Sequence, residues 1–279
     1  TIQWELNMLR YAIAYSINDP VGKNVAEKLV ERGGGISYCE KAISCYNING
    51  IMLGGFNEDT INFDFLDQTP DENADFIIVV SKHQSTSNTK TLSVHHTGNL
   101  SDALYGGKPK QLSYVNPAIT KQIFRNYYKN SLELKEYSFT LEATHHGPTS
   151  LIKPLLFIEI GSTEKEWNDI KAINSLAQTI IDTISNVDID YDCIPSIGIG
   201  STHYPKKFTE MELNDKYCFG HIISKHYVDY LDFDLLKQCV EKSNPRIKAA
   251  IIEKKGIKSE IRKRIDSIIR ELGLEIIYV

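Results

Sequence analysis

No CxxC pair occurs in this chain, and its five cysteines (Cys39, Cys45, Cys193, Cys218 and Cys239) are odd in number and scattered. That argues against a disulfide framework and against a thiolate zinc site, and makes the cysteines expected core residues of a protein in a reducing cytosol. Long apolar runs are missing too. Stretches such as Ile77–Val80 and Leu155–Ile158 fall far short of the roughly 20 residues that span a bilayer. The opening, Thr1–Arg10, has no basic region followed by an apolar one, so no signal peptide is expected and the cytoplasm is the expected compartment. A GxSxG elbow, a Walker loop and an HExxH helix are all absent, which leaves the serine-hydrolase, P-loop and helix-borne metalloprotease readings without support. Nor is there an excess of positive charge: the net charge is −5, which counts against a broad nucleic-acid surface unless local patches supply it.

What is present suits a folded α/β protein. A hydrophobic share of 42% with 24% charged residues excludes disorder of the whole chain. Leu9–Tyr15 reads as a buried strand. Asp19 can cap a following helix with Pro20 at its first position; Val25, Leu29 and Val30 give the helix an apolar face, and Gly33-Gly34-Gly35 ends it. Further strands are expected at Asp75–Val80, Leu92–His95, Tyr137–Ala143, Leu155–Ile160, Cys193–Ile199, Tyr217–Ile223, Ile247–Ile252 and Leu274–Val279. A capping box, Thr163-x-x-Glu166, is expected to open one helix whose stripe runs from Trp167 through Ile170, Ile173, Leu176 and Ala177 to Ile180, Ile181 and Ile184. Asn116-Pro117 starts another through about Asn130, and Ile261, Ile265, Ile268, Ile269 and Leu272 mark a third. Segments 57–73 and 101–113 read as surface insertions. No linker divides the chain, so residues 1–279 are expected to form a single α/β domain.

The eight histidines carry the functional signal: His83, His95, His96, His145, His146, His203, His221 and His226. Most fall at or just past the end of an expected strand, in the pieces FIIVVSKHQS, LSVHHTGN, FTLEATHHGP, GIGSTHYP and HIISKHY. Open α/β sheets bind ligands beyond the carboxyl ends of their strands, so these segments would build one shared site at that edge. Glu159, in LFIEIGS, is expected at a similar strand end, just before a helix start at Ser162 and Thr163 that offers N–H groups to an anion. A single histidine in such a place is more often a hydrogen-bonded structural residue; the set is what persuades. His145 and His146 are followed by Gly147-Pro148, which turns the chain. Neighbours on a strand point to opposite faces, so both can serve one site only where the strand has already ended. Glu142, three residues earlier, is either a solvent-facing strand-edge carboxylate, a metal ligand or an orienting partner for an imidazole. His and Glu without Cys suit a catalytic zinc site with an open position for water. Metal-free acid–base use of one histidine is the alternative.

Taken in order, SKHQS, LSVHHTGN, EATHHGPTS, FIEIGSTEKEW, GIGSTHYP and GHIISKHY resemble the archaeal and plant type of D-aminoacyl-tRNA deacylase. The resemblance runs from about Asp75 to Tyr227, and EATHHGPTS and IGSTEKEW are its most specific parts. The family commonly has Arg where this chain has Lys82, a conservative departure. The resemblance implies a three-layer α/β/α fold with a mixed, mostly parallel sheet, akin to the phosphorylase and peptidyl-tRNA hydrolase class. It also implies zinc, a monomer, and hydrolysis of the ester of tRNA charged with a D-amino acid.

In that frame a zinc-bound hydroxide, or a water activated by histidine, attacks the ester carbonyl. The expected catalytic residues are His145, His146, His83 and Glu142. The expected ligands of one or two zinc ions per subunit are His95, His145, Glu159 and His203, with His221 a second choice for the inner set. Backbone N–H groups at Gly161, Ser162 and Thr163 are expected to bind the oxyanion, and Lys206 and Lys207, with Lys108 and Lys110, the acceptor end. Residues 237–264 hold ten Lys/Arg against three Glu, which is either a solvated helix face or a contact for the tRNA backbone. Competing readings are a zinc aminopeptidase or amidase-like hydrolase, a peptidyl-tRNA hydrolase and a non-enzymatic RNA-binding module.

Overall fold

The structure, a computed structural model, describes residues 9–86, 88–185 and 192–279. Most of the opening stretch read as free of a leader lies outside them. In chain order the elements are β1 (Tyr11–Ser16), α1 (Pro20–Glu31), β2 (Gly35–Ile36), β3 (Ser44–Ile48), β4 (Ile51–Phe56), β5 (Phe76–Gln84), β6 (Thr91–His95), β7 (Gly98–Asn99) and β8 (Gln111–Leu112). There follow α2 (Pro117–Asn130), β9 (Ser138–Leu141), β10 (Leu155–Ser162), α3 (Glu164–Trp167), α4 (Ile170–Ser185), β11 (Ile194–Ser201), α5 (Lys206–Asn214) and β12 (Tyr217–Ser224). The last elements are α6 (Phe233–Glu241), β13 (Ala249–Ile252), α7 (Ser259–Glu271) and β14 (Glu275–Tyr278).

The result is an α/β fold around a mixed, mostly parallel sheet. Its strands run in the order β2-β3-β4-β1-β5-β10-β6-β9. β4, β1, β5 and β10 are mutually parallel, and β6 turns antiparallel against β10. A second, parallel sheet has the order β12-β11-β13-β14. Alternation along the strands sorts the large sheet's residues by face. Ile13, Ile78, Val80, Leu156 and Ile158 bury against α1, α2 and α4. Ala14, Ile77, Val79, Leu155 and Phe157 bury on the other face. Among the described residues no α-helix covers that second face. Segment 57–73, expected as a surface insertion, instead lays the fully buried Phe63 and Leu66 onto it. The small sheet has helices on both sides, with α6 and α7 on one face and α2 and α5 on the other.

Local signals explain the boundaries. The Asp19 carboxylate accepts from the Gly22 N–H and caps α1, and the Asn116 side chain accepts from Ile119 to cap α2. The single helix expected after Thr163 is two. The capping box forms, but α3 stops at Trp167 and Asp169 starts α4 afresh, its carboxylate accepting from the Lys171 N–H. Asn168-Asp169 competes for backbone donors and favours a cap over a helix interior. The expectation about the cysteines is corrected: Cys39 is bonded to Cys45 and Cys193 to Cys218, leaving Cys239 free and buried. The fold brings their Cα atoms to 5.6 and 5.7 Å, within bonding range, although the residues are 6 and 25 apart in sequence. Among the described residues no helix is long and apolar enough to cross a membrane.

Candidate active site

Three adjacent strands, β5, β10 and β6, set the floor of the site. Glu159 on β10 pairs in register with Ser81 on one side and Ser93 on the other, and Gly161 lies opposite His83. By alternation, Ser81, His83, Phe157, Glu159, Ser93 and His95 all project from one face. Among the described residues it is the face without α-helices. The histidines thus meet on the face of the sheet, and the expectation of a site beyond its carboxyl edge is corrected. β10 continues to Ser162, so Glu159 is interior to it, and antiparallel β6 brings His95 back alongside Phe157.

The tandem pair arrives from the neighbouring strand. β9 ends at Leu141, so residues 142–146 are free of the pleat. They are stitched to both sheets. The Glu142 N–H donates to Val94 O (3.0 Å), that of Ala143 to His203 O (2.8 Å) and that of Thr144 to Ile222 O (2.8 Å). His146 takes a left-handed conformation, φ 43°, which turns its ring to the same side as that of His145.

Two buried carboxylates sit among five imidazoles. His83 Nδ1 is 3.1 Å from Glu142 Oε1 and 3.2 Å from Glu159 Oε2. Glu159 Oε1 accepts from Ser81 Oγ (2.6 Å), and Glu142 Oε2 lies 2.9 Å from His203 Nε2 and 3.8 Å from His145 Nε2. Burial opposes charge on His83, yet its hydrogen bonds to Glu142 and Glu159 outweigh burial and hold its pKa up at about 11. Burial likewise works against both carboxylates, but His203 and His83 keep Glu142, and His83 and His95 keep Glu159, below the ordinary range. Burial, with His95 beside them, pushes His145 well down and His146 to about 4, so both are neutral near pH 7.

The ring tautomers prepare a cation site. The Nδ1–H groups of His95, His145 and His146 donate to the carbonyls of His96 (3.2 Å), Ala143 (2.8 Å) and Gly147 (2.6 Å). On His145 and His146 each Nε2 is then a free lone pair; that of His95, buried without a hydrogen-bond partner, faces Glu159 Oε1 at 3.6 Å, and despite burial that carboxylate raises the His95 pKa, so this nitrogen ligates once its proton is lost. Pinning one nitrogen on a carbonyl so that the other can ligate is how metal-bound histidines are usually oriented. The ligand atoms of His95, His145 and His146 lie within 4.8 Å of one another, as do those of Glu142, His145 and His203, and those of His83, Glu142 and Glu159. A borderline divalent cation such as zinc fits this nitrogen and oxygen donor set. The ligand set expected from sequence, His95, His145, Glu159 and His203, is spread over all three groupings, and His146 stands with His95 and His145.

Other expected residues sit further out. Gly161 is hydrogen-bonded within the sheet. A Cβ there would meet His83 Cβ at 2.6 Å, so its part is to leave room for that ring. The Thr163 N–H is taken by Glu166 within the capping box, and the Ser162 hydroxyl donates to Thr89 O; both line a separate groove beside Trp167. Lys206 and Lys207 are exposed on the first turn of α5, three and four residues past His203. Lys110 pairs with Asp232. In the basic stretch Lys242 donates to Leu112 O, Arg264 to Val228 O and Asp229 O, and Lys254 covers the Tyr278 ring. His221 is not in the cluster. Together with His96 it forms a buried pair behind it, its ring bonding Thr144 and the Ser113 carbonyl.

Sequence reasoning missed Tyr204, whose hydroxyl is 2.8 Å from His83 Nε2, and the anchoring part of Ser81. The i, i+2 spacing of Ser81 and His83 on one strand was a usable signal; for Tyr204 only its place beside His203 points to it.

Comparison with known proteins gives the family. A family model described as D-aminoacyl-tRNA deacylase matches residues 70–277. A D-aminoacyl-tRNA deacylase of Staphylothermus marinus is 39% identical over 275 residues, 96% of this chain and 99% of that one. The protein of the same name from Aeropyrum pernix is 36% identical over 279 residues, 97% of this chain and 100% of its own. A crystal structure described as a conserved protein of unknown function superposes with a TM-score of 0.90 at 28% identity, covering 97% of this chain and 95% of the other.

Proposed function

The chain belongs to the D-aminoacyl-tRNA deacylase family, and from that premise we propose how the His/Glu centre does the family's chemistry. The protein is a hydrolase that cuts the ester of D-aminoacyl-tRNA, releasing the free D-amino acid and tRNA. The aminopeptidase, amidase and peptidyl-tRNA hydrolase readings are not favoured, because relatives along nearly the whole chain carry the deacylase name. The work belongs in the cytoplasm, where charged tRNA is found. One chain supplies every residue of the centre, which suits a monomer.

The observation that carries the mechanism is the convergence of the Nε2 atoms of His95, His145 and His146 beside two buried carboxylates. These three histidines would hold zinc, which leaves His203 free of metal. Bound there, zinc would supply Lewis acidity toward the ester carbonyl and toward water. His203, its side chain 42% exposed and anchored on Glu142, accepts the proton of the attacking water and returns it to the departing ribose hydroxyl. His83, held cationic by both carboxylates and bonded to Tyr204, offsets negative charge developing on the ester oxygen. Lys206 and Lys207 contact the acceptor end.

The test pairs elemental analysis of the purified chain with deacylation of D- and L-tyrosyl-tRNA before and after chelation. Stoichiometric zinc, loss of D-specific turnover on chelation and its return with zinc are expected. Turnover that survives both metal removal and His95→Ala would overturn the metal assignment.

A further inference from the structure

Tyr105, His145, His146 and His203 form a wall shared by two cavities. One is open, about 730 Å³, and its lining includes Asp19, Ser81, Lys82 and His83. The other is about 260 Å³, more enclosed, and lined by Leu100, Leu104 and Tyr227 among others. An ester also has two halves. We infer that the smaller cavity receives the side chain of the aminoacyl group and the larger one the terminal nucleoside of the tRNA, so that the scissile bond lies across the shared histidines. This inference rests on the deacylase reading.

Size sets the direction. The smaller cavity is below the roughly 300–1,000 Å³ that takes drug-sized ligands, which suits an amino-acid side chain, whereas the larger has room for a nucleoside and its phosphate. Leu100, Leu104, Tyr105 and Tyr227 in its otherwise mostly polar lining favour large apolar and aromatic side chains. The wider cavity offers the hydroxyls and the lysine that a ribose and a phosphate chain require.

The rim of the smaller cavity is unusual for a surface loop. Leu104 is 80% and Tyr105 69% exposed, side by side. Large apolar groups left open beside a cavity mark a place for a ligand. They are not on a loose tip. The Gly147 N–H donates to Tyr105 O (2.9 Å), and Asn99 Nδ2 donates to Gly106 O (2.9 Å). Gly106 and Gly107, at φ +70° and +73°, turn the chain back in a conformation that side chains resist. The turn that carries Leu104 and Tyr105 is thus bonded to the residue next to His146.

The test is the ratio of kcat/KM for D-tyrosyl-tRNA to that for D-alanyl-tRNA. Leu104→Ala and Tyr227→Ala each lower this ratio by about tenfold, the worth of one apolar contact to a large side chain. Both positions are exposed, so the variants fold. Lys82→Ala, on the other cavity, raises KM for both substrates and leaves the ratio in place. A ratio unmoved by the first two variants, or moved by the third, overturns the assignment while the deacylase reading stands. A wild-type chain that cuts neither substrate overturns both.

Discussion

Glu142 Oε1 lies 3.1 Å from His83 Nδ1, with both side chains buried, while the other oxygen of the same carboxylate stands 2.9 Å from His203 Nε2. One buried charge therefore serves an interior imidazole and a solvent-facing one. Glu142→Gln keeps the shape and removes the charge. Its kcat/KM for D-tyrosyl-tRNA should fall by about 100-fold, as for groups that orient metal-site histidines. A steady-state assay that returned the wild-type value would remove Glu142 from the mechanism.

Backbone strain at His146 can be separated from its chemistry. At φ 43° any residue with a Cβ is disfavoured, so His146→Gly should be more stable than His146→Ala by about 1 kcal/mol in urea unfolding. Both variants lose the ring and should be inactive. Equal stability would mean that the left-handed turn relaxes when the imidazole is gone.

Lys206 and Lys207 open α5 directly beyond the site and are exposed. Replacing both with alanine should weaken tRNA binding and reduce the slope of log affinity against log salt by roughly 1 to 2. Filter binding across a salt series measures it. A slope equal to the wild type would send the tRNA backbone elsewhere, with the basic stretch at 237–264 next to be tested.

His221 ties stability to pH. Burial, with His96 facing it and Lys242 nearby, lowers its pKa to about 3 in the folded chain. The unfolded value is about 6.5. Below about 6.5 the unfolded chain takes a proton that the folded one refuses, so stability is full above that pH and declines toward pH 3. This residue alone should cost about 1.4 kcal/mol between pH 7.5 and 5.5. Denaturation midpoints at the two values, for the wild type and His221→Asn, should differ less in the variant.

Much of the centre could be read from residue types. His145-His146 before Gly147-Pro148 announced two rings beyond a strand, and β9 does stop at Leu141. Asp19-Pro20 and Asn116-Pro117 mark helix starts that the structure contains. What stayed hidden depends on pairing between distant segments. That β10 enters between β5 and β6, with β6 reversed, decides whether His83, Glu159 and His95 share a face, and no local pattern reports strand order. The cysteine bonds stayed hidden for the same reason. The hairpin of β3 and β4 is a different kind of miss: Asn49 and Gly50, both at positive φ, form a turn whose signal was in plain view.

The segment bearing the tandem histidines is hydrogen-bonded to the large sheet through Glu142 and to the small one through Thr144, while Ala143 bonds His203, which reaches the centre from the loop after β11. The reactive groups thus act as a seam between two halves of the molecule. Any slippage of one half against the other separates donor from acceptor while each retains its own strands. Heat inactivation of this enzyme should therefore track the packing between the two sheets, which α2 and α5 also join.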